Sequence, residues 1–283
     1  MRDWLTLTKP RITGLVLVTT GVGFTLGSGA GLDAVALLET LLGTALAAGG
    51  AGALNQVVER DVDALMARTR NRPIPDGRIP VFHGFVFGLA LSLAGTAWLA
   101  ARSSLLAGML AAATIVLYVG AYTPLKRRTP ANTLVGAVPG AIPPVIGWAA
   151  ATGSVGPGAG VLFAILYLWQ LPHFLAIAWM FREDYAAAGL SMLPVVDDDG
   201  VWTGRFAALY TVALIPVSMT LTPLGLTGGL YFFGALVLGV LFLGCGLALA
   251  RRRKRRTARR LLLASVTYLP LLLTLLVVDR VAA

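Results

Sequence analysis

Two stretches of this sequence carry side chains that could do chemistry, and each borders a long apolar run. The first is Asn55-Gln-Val-Val-Glu59-Arg-Asp61-Val-Asp63, followed by Met66, Arg68, Thr69, Arg70 and Arg72. Asn55, Glu59 and Asp63 recur every four residues, so on a continuing helix they drift by only about 40° per step and share a face. Met66 falls back on that stripe, while Asp61 points to another face, near Arg68. Carboxylates at i, i+4 repel each other, and a bound cation removes that penalty. An all-oxygen ligand set suits Mg²⁺, which keeps several waters and bridges carboxylates to substrate phosphates. The same spacing also fits a solvated loop helix whose acids pair with Arg60, Arg68, Arg70 and Arg72. Arg68, Arg72, Lys126 and Arg127 are candidate phosphate ligands, because guanidinium forks bind phosphate oxygens in pairs and lysine supplies a point charge. Arg70, Arg78 and Arg128 read better as membrane anchors. Carboxylates for a metal, cations for phosphate and an apolar bundle beneath describe a site for a lipid diphosphate.

The second stretch runs from Trp169 through Pro172, His173 and Phe174 to Trp179, then Arg182-Glu183-Asp184 and Asp197-Asp198-Asp199. His173 lies in or at the end of an apolar run, and an ionisable residue at that depth marks a functional site by default. The plainer alternative is a neutral imidazole satisfied by a backbone carbonyl that Pro172 leaves free. Asp184 is eleven residues on, in nearly the same helical direction but about 16 Å further along if the helix continues. The two could line one cavity without touching. His83, at the end of another apolar run, reads as interfacial.

These residues are positioned by membrane helices. Of 283 residues, 57% are hydrophobic and only 13% charged, about half the charge of a soluble domain. Apolar runs of about 20 residues can cross a bilayer, and nine are expected here, near 12–28, 35–56, 81–101, 104–123, 133–152, 158–180, 206–222, 228–250 and 261–279. With the N-terminus inside, 21 of the 23 Lys and Arg fall in inner segments, leaving only Arg102 and Arg280 outside. That asymmetry is a strong positive-inside signal. The net charge of +10 is therefore anchoring and orientation. Even the run Arg251–Arg256 reads as a contact to anionic lipid rather than to nucleic acid. The segment before Ile12 is too short for a transit peptide, and more membrane follows it, which argues against a cleaved signal. The lone Cys245 excludes an intrachain disulfide. Nine of the 13 carboxylates gather in the second-to-third and sixth-to-seventh loops. Four spans separate those loops, so both open on one face, like the two halves of a weak internal repeat.

The stretch from Asn55 to Arg72, with Glu59, Asp63 and the pairs Arg68-Thr69 and Arg72-Pro73, resembles the first signature of the UbiA-type membrane prenyltransferases. Glu59 stands where many members have Asp, and Val62 where a larger apolar residue is usual. Tyr122-Thr-Pro-Leu-Lys126-Arg127-Arg-Thr129 is similar to a second element of that family. In the other half, Pro172-His173-Phe174, Asp184-Tyr185 and Met192-Leu-Pro194-Val-Val resemble the haem O synthase (protohaem IX farnesyltransferase) group, and replace the Asp-x-x-x-Asp motif of most members. The resemblance runs from about Lys9 into the ninth span. It implies one membrane domain over residues 1–283, an all-α bundle of nine transmembrane helices with a cytoplasmic N-terminus, in a bacterial plasma membrane with its active-site loops on the cytoplasmic side. It implies transfer of a farnesyl group from farnesyl diphosphate to haem B, giving haem O for haem–copper oxidase biogenesis. Mg²⁺ would be held by Asn55, Glu59, Asp63 and Asp184, alone or with Glu183 at a second ion. The diphosphate would be held by Arg68, Arg72, Lys126 and Arg127. His173 would contact haem, by axial ligation among other ways, or act as general base. A haem A synthase or oxidase-assembly protein would receive the product. Action on an aromatic or quinone precursor is the nearest rival, and a transporter a more distant one.

Overall fold

Backbone with no water to bond must pair its own polar groups, and helices do this within one segment. The computed structural model describes residues 1–281, which are helices joined by turns, with one isolated bridge between Thr227 and Arg280. In chain order the helices are α1 (Arg2–Leu7), α2 (Pro10–Gly27), α3 (Ala34–Val58), α4 (Arg60–Leu65), α5 (Val81–Arg102) and α6 (Leu105–Ile115). A π-helical segment, Val116–Tyr122, then leads into α7 (Thr123–Leu125), α8 (Asn132–Ala141), α9 (Pro143–Thr152) and α10 (Pro157–Met180). The chain ends with α11 (Arg182–Ala187), α12 (Leu193–Val196), α13 (Val201–Met219), α14 (Gly229–Arg252) and α15 (Arg255–Val278).

Eight stretches are long and apolar enough to cross a bilayer: α3, α5, Leu105–Leu125, Asn132–Thr152, α10, α13, α14 and α15. The expected first span is α2, 18 residues long, which opens on Pro10 and Arg11 and lies outside that set of eight. Phe82, Leu93, Val237, Leu241, Leu263 and Val278 are exposed on outward faces, as suits helices solvated by lipid tails.

Two expected starts shift and one expected span divides, each for a local reason. Asp197 starts α13 at Val201 rather than 206, because its carboxylate accepts from Thr203 N at 2.6 Å, Thr203 Oγ1 at 2.7 Å and Trp202 N at 3.4 Å. Asp199 takes the Val201 N–H at 3.0 Å. The helix N-terminus is thus satisfied by side chains, and much of the second acidic cluster is a cap. α15 starts at Arg255 rather than 261, where Thr257 Oγ1 accepts from Lys254 N at 3.2 Å. Its arginines can keep their stems on the helix and their charges in the interface. The fifth span is two helices meeting at Ile142, because Pro143 and Pro144 cannot donate to the preceding turn.

α2 lies against α9 and α3 against α5. The α2–α9 approach requires glycine: a Cβ on Gly23 would sit 1.9 Å from Pro144 O, and one on Gly147 1.9 Å from Thr20 O. The largest core cluster joins α10, α13, α14 and α15 through Leu162, Trp169, Leu214, Phe242 and Leu269.

Candidate active site

Asn55 lies in the last turn of α3, which ends at Val58, and the stripe survives the break after it. Glu59 sits between α3 and α4, yet Glu59 N still donates to Asn55 O at 2.9 Å and Asp63 N to Glu59 O at 2.7 Å. Two i→i−4 bonds thus carry the stripe across the break, and Asn55, Glu59, Asp63 and Met66 line one cavity of about 230 Å³. Asp61 points away as expected, but its partner is Arg60 at 2.9 Å rather than Arg68. The neighbour in sequence reaches it first.

A helix irregularity aims Asn55. Pro124 has no N–H for the carbonyl one turn before it, and the preceding turn widens to π over Val116–Tyr122. Thr123 Oγ1 donates to Tyr118 O at 2.8 Å and accepts from Asn55 Nδ2 at 3.0 Å. Asn55 Oδ1 is thereby turned to Lys9, whose Nζ donates to it at 2.5 Å. The widened turn also stacks Tyr118 on Tyr122, 5.8 Å apart, in the cavity wall. Such π segments recur at functional sites.

The two halves meet here. Val62 and Met66 pack with Ala178, Ala188, Leu190 and Met192 in a small apolar cluster. Arg68 Nη2 donates to Tyr185 OH at 3.2 Å, and its guanidinium lies over Phe181. Ser191 N donates to Lys126 O at 2.7 Å and Asn132 Nδ2 to Ser191 O at 3.0 Å, which ties the sixth-to-seventh loop to the fourth-to-fifth.

Each polar side chain of the stripe faces a cation through one oxygen, Asn55 through the Lys9 contact above. Lys126 Nζ lies 2.6 Å from Glu59 Oε1, and Arg72 Nη1 lies 2.5 Å from Asp63 Oδ2. Burial works to raise the Glu59 pKa, but the adjacent Lys126 ammonium outweighs it and holds the carboxyl below its ordinary range. At Asp63 burial outweighs Arg72, and the pKa is raised. Burial, with repulsion from Arg72 and Lys126, lowers Lys9 to about 7 against the pull of Glu59 and Asp63. Among the described residues no three His, Cys, Asp or Glu side chains gather as a metal cluster. The set is one amide and two carboxylates, from which Mg²⁺ would complete its shell with water and substrate phosphate.

The predicted residues divide. Asn55, Glu59, Asp63, Arg68, Arg72 and Lys126 share the cavity. Arg127 is exposed outside it, accepting only a backbone bond from Ser191 Oγ at 3.2 Å. Asp184 is half-buried beside the cavity rather than in its wall, which Tyr185 supplies, and Glu183 is exposed. α10 ends at Met180, and Phe181 turns the chain into α11, so Asp184 does not continue the direction of His173. His173 is not satisfied by a carbonyl freed by Pro172 either: its Nδ1 meets Ser265 Oγ of α15 at 2.7 Å. Its neighbours Phe174 and Ile177 line the cavity. Lys9, Tyr118, Tyr122 and Tyr185 also line the cavity, where sequence reasoning had not placed them. Lys9 counted only as an inner charge, and nothing local to it signals a site.

An all-helical bundle whose three loops on one face combine a carboxylate–amide stripe with lysine and arginine over an apolar interior defines a membrane prenyl-diphosphate enzyme. The chain matches the UbiA prenyltransferase family over residues 16–269, and it belongs to that family. The protoheme IX farnesyltransferase of Solibacter usitatus is 49% identical over 99% of both chains. That of Koribacter versatilis is 43% identical, covering 99% of this chain and 94% of its own. Among solved structures, a digeranylgeranylglyceryl phosphate synthase superposes with a TM-score of 0.83 at 16% identity, covering 98% of this chain and 97% of its own. A UbiA homologue from Archaeoglobus fulgidus bound to GPP and Mg²⁺ superposes at 0.63 and 14% identity, covering 97% and 99%. At those identities the likeness is one of fold.

Proposed function

We propose that this chain transfers the farnesyl group of farnesyl diphosphate to a vinyl group of haem B, giving haem O. The observation that carries the reading is agreement between protoheme IX farnesyltransferase relatives matched end to end and a cavity built for a metal-bound diphosphate. Asn55, Glu59 and Asp63 would hold Mg²⁺, with Asp184, half-buried beside the cavity, as a further carboxylate, and the ion would supply Lewis-acid charge to the leaving diphosphate. Lys126, Arg72, Arg68 and Lys9 take phosphate oxygens, and Arg127 guides the anion from the rim. Concentrated positive charge on the departing group favours breaking the allylic C–O bond, whose electron pair leaves with the diphosphate. The rings of Tyr118 and Tyr122 line the same cavity, with Lys9 Nζ 5.8 Å from the Tyr118 centroid and Lys126 Nζ 4.5 Å from that of Tyr122, so the aromatic faces help hold the phosphate-binding cations in place. The vinyl carbon then bonds to the allylic carbon. Water adds to the resulting cation beside the porphyrin and loses a proton, leaving a hydroxyethylfarnesyl arm. His173 is the assigned haem contact.

The same reading includes nine spans with α2 as the first, a cytoplasmic N-terminus and site, a bacterial plasma membrane, and delivery to a haem A synthase or oxidase-assembly partner. The charge asymmetry supports the orientation. Mass analysis of the product from purified protein, haem B, farnesyl diphosphate and Mg²⁺ tests the activity. The expected product is haem carrying one added farnesyl group and one added hydroxyl group. Unmodified haem, or a prenylated phenol when an aromatic acceptor competes, would reject it.

A further inference from the structure

His173 and Ser265 lie 92 residues apart on α10 and α15 and meet inside the bundle. Ser265 Oγ is 2.7 Å from His173 Nδ1 and also 2.7 Å from Leu262 O. A carbonyl oxygen only accepts, so the single hydroxyl proton of Ser265 goes to Leu262 O. The hydroxyl then offers the imidazole nothing but lone pairs, and Nδ1 must be the donor. The ring is therefore the Nδ1–H tautomer, with a lone pair on Nε2. Among the described residues the ring's one hydrogen bond is at Nδ1, and Nε2 makes none.

The ring is also held in place. Trp169 stacks on it at 5.2 Å and 26°, and Phe174 meets it edge-on at 5.8 Å. Trp169 Nε1 donates to Ser265 O at 2.8 Å, so the same serine anchors both rings. A histidine serving only to close the core would have both nitrogens satisfied. Here one is fixed and the other left open. Ile177, one helical turn or about 6 Å along the axis, lines the diphosphate cavity.

We propose that Ser265 is a positioning residue that sets the tautomer of His173 and presents Nε2 as the ligand to the iron of a metalloporphyrin substrate. The proposal rests on the haem-prenylating reading. Neutral imidazole binds iron through an unprotonated nitrogen, and a hydrogen bond from its other N–H fixes ring orientation and raises basicity.

The test uses the full-length protein in detergent, loaded with haem B and reduced, with the iron–histidine stretch read by resonance Raman and haem affinity by titration of the Soret band. Ser265→Ala should shift the stretch and weaken haem binding about tenfold or more, while farnesyl diphosphate binding with Mg²⁺, read by calorimetry, stays unchanged. Ser265→Thr, which keeps the acceptor, should restore both. His173→Gly should lose the stretch and regain it with added imidazole. An unchanged stretch and haem affinity in Ser265→Ala would overturn the role of Ser265. An unchanged spectrum in His173→Gly would overturn the ligand assignment even if haem is still farnesylated. If the wild-type protein forms no prenylated haem at all, the functional reading itself fails.

Discussion

The carboxylates of the cavity do not wait bare for a metal: Lys126 neutralises Glu59, Arg72 neutralises Asp63 and Lys9 caps the oxygen of Asn55. A phosphate-bearing substrate offers those cations a second partner, so the carboxylates and the phosphates compete for the same three groups. Replacing Glu59 or Asp63 by alanine strands a partly buried Lys126 or Arg72, and turnover should fall to background in initial-rate assays while the protein remains inserted. Asp61→Ala should keep most activity. Asp61 is exposed and paired only with Arg60, and such surface pairs are worth about 0–1 kcal/mol. Equal losses at Asp61 and Asp63 would discard the stripe. Lys126→Met should raise the KM for farnesyl diphosphate about ten- to a hundredfold, the 1.5–3 kcal/mol of one charge-assisted bond, with little change in the KM for haem. Arg127→Met should have a much smaller effect, because its side chain lies outside the cavity. A dominant effect on the haem KM in Lys126→Met would contradict the phosphate assignment.

At the scale of elements, site geometry depends on how closely helices approach and where they begin. The contact of α2 with α9 leaves no room at Gly147. Gly147→Ala should therefore destabilise the protein by about 1–3 kcal/mol through overpacking, seen as a lower Tm in detergent. Gly160→Ala, with nothing near its added methyl, is the control and should not. Asp197 is 6% exposed and holds the first turn of α13. Asp197→Ala should lower stability by about 1–2 kcal/mol without changing the Mg²⁺ requirement. A selective loss of metal dependence would instead place Asp197 in the site.

For the whole molecule, three loops separated by even numbers of expected spans converge on one cavity, as a single membrane orientation requires. In a Cys245→Ser background, Arg70→Cys on the site side and Ser154→Cys at the far end should respond oppositely to a membrane-impermeant maleimide. Arg70→Cys should label only in inverted vesicles and Ser154→Cys only in right-side-out ones. Labelling of both from one side would reject the nine-span topology.

Apolar run length, the positive-inside asymmetry and the four-residue step of Asn55, Glu59 and Asp63 were legible in the sequence because each is a property of one helix or of its flanks. Those signals carried the helical class, the location of most spans and the carboxylate stripe. What the sequence could not determine was which side chains cross between segments. Lys9 reaches Asn55 over 46 positions and Lys126 reaches Glu59 over 67, and no local periodicity encodes such distances. Asp197 and Asp199 counted in the sequence only as part of the second acidic cluster and are caps in the structure, because composition alone does not say whether a carboxylate faces a ligand or a helix N-terminus. His173 had no visible partner until α15 packed on α10 and brought Ser265 to it. The direction of a buried polar side chain is decided by the donors and acceptors that packing places around it, and that is a property of the assembled bundle.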